Sequence, residues 1–339
     1  MELGIGMFGD LAFDQKTGKY QDAGIKIREI LQQVKLMDEV GIDVFAMGEH
    51  HRADYAVSSP EMVLAAAASI TKNIKLASGV TVLSSSEPVK VYEDFATLDL
   101  ISDGRAELFV GRGSFIESFP LYGYSLNDYE QLFDEKLDLL LKINSEENVS
   151  WKGKLRAPMD NQTVYPRAKN KGKLPIWRAV GGTPQSVLSA AKLGMPLVVA
   201  MIGGMPIQFK NLIQFYKQEY LAAGFPESEM QIAIHSHTLV SEDQNVIEGY
   251  FQNYKDQMDR IGATRGWSPY TKMQYEGGRA KDGALFIGNV SEVADKIAYM
   301  KEIFGITRFV GHMDVGAPEN EVMMKSIELF GEKVAPLVR

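Results

Sequence analysis

The chain of 339 residues contains no cysteine. That excludes a disulfide framework, thiolate catalysis and any zinc site built on sulfur, so a metal would need histidine and carboxylate ligands. No uninterrupted apolar run reaches the roughly 18 residues of a membrane helix. The opening stretch, MELGIGMFGD, lacks the basic leader and apolar run of an export signal. No membrane association and a cytoplasmic location are expected. Long basic runs are also missing: 36 Lys and Arg against 44 Asp and Glu leave a formal charge of -8. Nucleic acid is therefore not the expected partner, because phosphate backbones are gripped by clustered cations. A small-molecule substrate is. Histidine is scarce, at five residues, and two of the five are adjacent at His50 and His51.

What the chain does have is 45% hydrophobic residues, laid out in a repeating order. LGIGMF is short, apolar and bounded by glycine, as a buried strand should be. IKIREILQQVKLMDEVG then places Ile27, Ile30, Leu31, Val34, Met37 and Val40 at helical spacing and stops at Gly41. Seven further pairs follow: IDVFAMG with SPEMVLAAAASIT, IKLASGVTVL with VKVYEDFATLDLI, RAELFVG with YEQLFDEKLDLLLKI, PIWRAV with TPQSVLSAAKLG, MPLVVAM with QFKNLIQFYKQEYLAAG, MQIAIHSHTLV with NVIEGYFQNYKDQM, and ITRFVGH with NEVMMKSIELFGEKVAPLV. Eight strands alternating with eight helices, without a linker, predict an α/β fold. Residues 1–339 form one domain, a single (β/α)8 TIM-type barrel with insertions after strand 4 and before strand 8. A doubly wound open sheet is the alternative, but no dinucleotide fingerprint follows the first strand and no Walker loop is present.

Active sites of this barrel lie at the C-terminal ends of the strands. After the second strand stand Glu49, His50, His51 and Arg52, a density of titratable groups found nowhere else in the chain. Capping or loop solvation, proton transfer by an imidazole, and metal ligation are all chemistries of such a cluster. Metal is the weakest reading, with His235 and His237 after the seventh strand as its possible complement. After the fourth strand Gly111 and Gly113 flank Arg112. After the fifth, Gly181 and Gly182 lead into Thr183 as a helix N-cap, Pro184 at the first helical position, and Ser186. Glycines permit close backbone approach, a helix N-terminus attracts anions, and Arg112 adds a charged fork. Phosphate is the expected ligand there. In the third strand Gly79 interrupts a β-branched run, which fits a bulge or the close approach of a flat ligand against Ser78, Gly79 and Val80. A phosphate site, a small-residue shelf and a histidine together describe a pocket for a phosphorylated planar cofactor, with flavin mononucleotide (FMN) the natural candidate.

GEHHR, the run LASGVTVLSSSEPVKVYEDFATLDLISDGRAELFVGRG and the segment PIWRAVGGTPQSVLSAAKLGMP resemble the bacterial luciferase-like flavin monooxygenases from the first strand to the last helix. The resemblance implies that His50 is the general base or proton shuttle beside the flavin, with a less defined neighbour in His51. It implies that Arg112 grips the FMN phosphate along with Gly182, Thr183 and Ser186, and that a non-prolyl cis peptide falls at or beside Gly79-Val80. It implies catalysis by reduced FMN (FMNH2) from a separate flavin reductase, through a flavin C4a-(hydro)peroxide that oxygenates a small organic substrate with oxygen. A homodimer paired through helices flanking strands two to four is also implied. Gly111 stands where light-emitting luciferase has a reactive cysteine, so luminescence is not. Two alternatives are a deazaflavin-dependent oxidoreductase of the same barrel family and a flavin-binding protein without turnover. Phe8, Phe115, Phe119, Tyr122, Trp267 and Tyr275 are the aromatic candidates for lining the substrate pocket. A long irregular segment is expected before strand 8, with Thr271 to Gly283 as a mobile loop over it.

Overall fold

The computed structural model describes residues 1–113 and 115–339. Eight parallel strands form the wall: β1 (Glu2–Met7), β2 (Val44–Met47), β3 (Lys75–Ser78), β4 (Ala106–Gly111), β5 (Ile176–Val180), β6 (Leu197–Ala200), β7 (Ile232–Val240) and β8 (Arg308–His312). Each pairs with the next, and β8 closes on β1 with Glu2 opposite Arg308 and Gly6 opposite His312. The helices that return the chain are α1 (Ala23–Glu39), α2 (Pro60–Ile70), α3 (Pro88–Ile101), α4 (Tyr129–Ser145), α5 (Pro184–Lys192), α6 (Lys210–Ala222), α7 (Val290–Phe304) and α8 (Asn320–Leu329). The helix expected after β7, Gln244–Ala263, belongs instead to the insertion before β8, where Ile247, Tyr250 and Tyr254 join Tyr275 in an apolar cluster apart from the main core. This closed eight-stranded parallel barrel with outer helices is the (β/α)8 fold expected from the alternation.

Side chains alternate across each strand and so divide the core in two. Val44, Ala46, Ala77, Phe109, Trp177, Val198, Ala233 and Val310 fill the barrel interior. Leu3, Ile5, Phe45, Leu76, Leu108 and Ile176 face outward and pack against the helices. At the N-terminal end the interior is stoppered by ions: Arg308, 1% exposed, bridges Glu2 and Glu107, and Lys75 reaches both carboxylates.

Two further expectations need correction. The third strand does not run unbroken from Ile74 to Leu83. It ends at Ser78, turns through a cis Gly79-Val80 peptide at the implied position, and resumes as a short strand Thr81–Val82 against β4. A Cβ on Gly79 would stand 2.9 Å from that of Ala46, so packing against β2 accounts for the glycine there. The segment before β8 is ordered rather than irregular. Lys272–Arg279 is a helix, Phe286–Gly288 pairs with the end of β7, and Val290–Phe304 is a helix capped by Asn289. Gly277 and Gly278 disfavour a helix, yet a reciprocal cap between Thr271 and Gln274 starts it. Tyr275 anchors it, buried against Phe251 and Tyr254. The insertion after β4 carries a short helix, Ser118–Tyr122, and a hairpin of Asn148–Trp151 with Met159–Thr163 precedes β5.

Candidate active site

The loop after β2 is held by its own charges. Arg52 grips Asp54 through two bonds of 2.8 and 3.1 Å, and the Ala56 N–H donates to Gly9 O at 2.7 Å. Arg52 is therefore the clamp that presents its neighbours. His50 enters a cage of Phe8, Tyr55 and Phe115, with ring centroids 4.7, 4.3 and 4.2 Å away. Among the described residues its Nε2 has no hydrogen-bond partner. Burial, reinforced by His312, Arg52 and His51, pushes its pKa down to about 3. The His50 ring is therefore neutral near pH 7 and can accept a proton only transiently.

His50 opens on a cavity of about 80 Å³ that it shares with Glu49, His51, Val80, Phe115 and Glu117. The Glu49 Oε1 accepts the Val82 N–H at 2.6 Å, which fastens the strand segment beyond the cis peptide to the loop after β2. Burial pushes the Glu49 pKa up to about 8, so at neutral pH it is a carboxylic acid with a proton to donate. No motif in the sequence marks that protonation, because it follows from enclosure. Of the shelf residues, Val80 faces this cavity. Ser78 is fully buried, and its hydroxyl donates to Phe109 O at 3.0 Å and accepts the Phe109 N–H at 3.1 Å.

A second cavity, about 230 Å³, opens where β4 and β5 end. Arg112, Ser186 and Gln185 line it, and Thr183 Oγ1 accepts from Arg112 Nη2 at 3.5 Å. Thr183 occupies the N-cap position of α5, with Pro184 next, but its side chain makes no capping hydrogen bond; Gly182 turns into the helix at a φ of 119°. Arg112 is not unpaired, since its Nη1 donates to the exposed Glu130 at 3.0 Å. The residue that the sequence reading missed is Arg178, a lone charge inside PIWRAV. It lines the same cavity, is 3% exposed, and among the described residues has no partner at Nε or Nη1. The two cavities adjoin: Gly111 precedes Arg112, and a Cβ there would stand 3.1 Å from Val80 Cγ2. A cysteine at that position would press on Val80, so the glycine and the shelf belong together.

Behind Phe8 the remaining histidines gather. His235 and His237 lie within β7 rather than beyond it. His235 stacks on His312, centroids 5.3 Å apart, and His237 meets His312 edge-on. Asp10, His312 and Asp314 approach one another closely enough to share a cation. Asp314 already accepts the N–H groups of Phe8, Gly9 and Asp10 and contacts His312 Nε2 at 3.1 Å, bonding that ties the end of β8 to the end of β1. Of the aromatic candidates, Phe8 and Phe115 line the His50 cavity and Tyr122 meets His51 edge-on. Phe119 and Tyr275 are core residues, while Trp267 is half exposed.

Residues 1–307 match the family model of the luciferase-like monooxygenases, and the chain belongs to that family. It is thus an oxidoreductase of the luciferase-like type. Its fold superposes on the monooxygenase RslO1 of Streptomyces bottropensis, with a TM-score of 0.86, 24% identity and 99% of each chain covered. It also superposes on the oxygenating constituent of 3,6-diketocamphane monooxygenase from Pseudomonas putida, a type II Baeyer-Villiger enzyme in complex with FMN. That match has a TM-score of 0.76 and 22% identity, over 100% of this chain and 99% of that one. A coenzyme F420-dependent tetrahydromethanopterin reductase from Methanopyrus kandleri shares the fold as well, with a TM-score of 0.73 and 19% identity over 99% or more of both chains. The lining fits a phosphate group, because among the described residues Arg178 Nε and Nη1 have no partner and face the cavity that Ser186 and Arg112 also line, although Glu130, Asp134 and Asp138 share that lining.

Proposed function

We propose that the protein is a monooxygenase dependent on reduced FMN. The flavin comes from a separate reductase, and one oxygen atom passes from O2 to a small organic substrate. The observation that carries this reading is the adjacency of two chemically different cavities, one lined by two arginines and the other by a neutral histidine and a protonated carboxyl. Arg112, Gly182, Thr183 and Ser186 hold the phosphate, and Val80 with the Gly79 backbone supports the ring. When bound, the reduced flavin supplies the electrons and the C4a-(hydro)peroxide chemistry that the sequence resemblance implies. His50, with its free Nε2, is the proton acceptor, Glu49 is the proton donor, and the aromatic cage around His50 excludes water. A homodimer belongs to the same proposal. Met62 and Ile70 on α2 and Leu100 and Ile101 on α3 are exposed on neighbouring helices, and that apolar face supports pairing through them.

The test is anaerobic titration of the protein with FMNH2, then rapid mixing with oxygen while near-ultraviolet absorbance is followed. A transient flavin absorbance that a substrate shortens is expected. His50→Ala should reduce turnover by about 100-fold or more while FMN affinity stays within a few fold. Undiminished turnover in that variant would remove His50 from the chemistry, and binding of FMNH2 without any transient would favour hydride transfer.

A further inference from the structure

Trp177 and Ala179 point into the barrel, so Arg178 between them points outward, into the layer between β5 and the helices. Its neighbours on the same face, Ile176 and Val180, are apolar core. The guanidinium lies 3.5 Å over the Phe133 ring of α4. A charge in such a place is costly unless it is hydrogen-bonded or paired, and three other buried cations of the barrel have acceptors. Lys136 donates to Ser84 O, Lys296 donates to four carbonyl groups, and Arg308 is held by two carboxylates. At Arg178, Nε and Nη1 have no partner among the described residues. Glu130, Asp134 and Asp138 also line the cavity from its exposed side; Asp134 offsets part of the cost of burying Arg178 without a hydrogen bond, while Arg112 adds a second positive charge that works against the first.

We propose that Arg178 is a dedicated second guanidinium of the anion site, and that it commits the cavity to a ligand ending in a phosphomonoester dianion. The identity of that ligand as FMN rests on the flavin reading above; the demand for a dianion does not. Two guanidinium groups and the N-terminal end of α5 converge on one cavity. A monoester brings two negative charges and three oxygens to them, whereas a phosphodiester brings one charge and two free oxygens. Arg178 also explains why the outward face of β5 tolerates a charge at all: the ligand is its missing partner.

The experiment compares wild-type protein with Arg178→Met, which suits the apolar layer in shape and polarity. Dissociation constants for oxidised FMN and riboflavin are read by flavin fluorescence, and stabilisation by inorganic phosphate is read by thermal unfolding. Arg178→Met should weaken FMN by about tenfold or more with riboflavin affinity unchanged, and should abolish the shift produced by inorganic phosphate. Its ligand-free Tm should equal or exceed that of the wild type. In the wild type, FMN affinity relative to riboflavin should rise with pH through about 6, where a phosphomonoester loses its second proton. That rise should flatten in the variant. Unchanged FMN affinity in the variant would overturn the proposal, as would equal losses for FMN and riboflavin or a lowered ligand-free Tm, which marks a structural strut. A wild-type profile flat through pH 6 would overturn the dianion. If inorganic phosphate binds through Arg178 but FMN does not bind, the flavin reading fails while this one stands; if FMN binds regardless of Arg178, the reverse holds.

Discussion

Arg308 and Arg178 are buried to nearly the same depth, 1% and 3% exposed, at opposite ends of the barrel. At the N-terminal end Arg308 donates to Glu2 at 2.8 Å and to Glu107 at 2.6 and 3.1 Å, and it lies 4.3 Å over the Trp177 ring. At the C-terminal end Arg178, the next residue along β5, has an aromatic face beneath it but no hydrogen-bonded anion. One strand therefore touches a completed ion network on its inner side and presents an uncompleted one on its outer side. A closed network serves the fold; on the proposal above the open one serves a ligand, because burial of an unpaired charge is otherwise a net cost.

The comparison can be broken at its strong end. Arg308→Met should cost about 3–5 kcal/mol, since it leaves Glu2 and Glu107 facing each other with Lys75 alone between them. Urea unfolding would read this as a lower midpoint at an unchanged slope. A loss below about 1 kcal/mol would put Arg308 among weak surface pairs and dissolve the contrast with Arg178.

The barrel was legible because alternating strands and helices leave a periodic signature, and strand ends locate a mouth. Arg112, Thr183 and Ser186 were legible for the same reason, each standing where a strand gives way to a glycine turn. Arg178 was printed in PIWRAV, yet its meaning depends on which face of β5 turns inward, and a five-residue strand does not announce that. Asp314 was invisible as a strut, because its partners Phe8, Gly9 and Asp10 lie some 300 residues away. The helix Lys272–Arg279 was hidden by its glycines, whose low propensity is outweighed by a cap and by one buried tyrosine. The protonation states of His50 and Glu49 are properties of enclosure, and a motif carries residue types but not burial.

The carboxylates repeat the contrast on a smaller scale, and pH exposes it. Glu107 is answered by Arg308, whereas Glu49 has one N–H donor and a pKa pushed up to about 8 from an ordinary 4.5. The folded state thus holds a proton that the unfolded chain releases, so this contribution is full below pH 4.5 and is lost as pH rises through about 8. His50 and His235, pushed down to about 3 from 6.5, act in the opposite sense: their contribution is full above pH 6.5 and is lost as pH falls toward 3. Ligand-free protein should accordingly be most stable near pH 6.5; burial also raises the Asp10 carboxyl, so Glu49 supplies a part of the limb from there to pH 8, about 2 kcal/mol at most. Glu49→Gln keeps an acceptor for the Val82 N–H but cannot ionise, so thermal unfolding across this range should show the alkaline limb flattened and the acid limb intact. Parallel profiles above pH 6.5 would mean that Glu49 is already ionised, and the mouth would then offer His50 a charged neighbour in place of a proton donor.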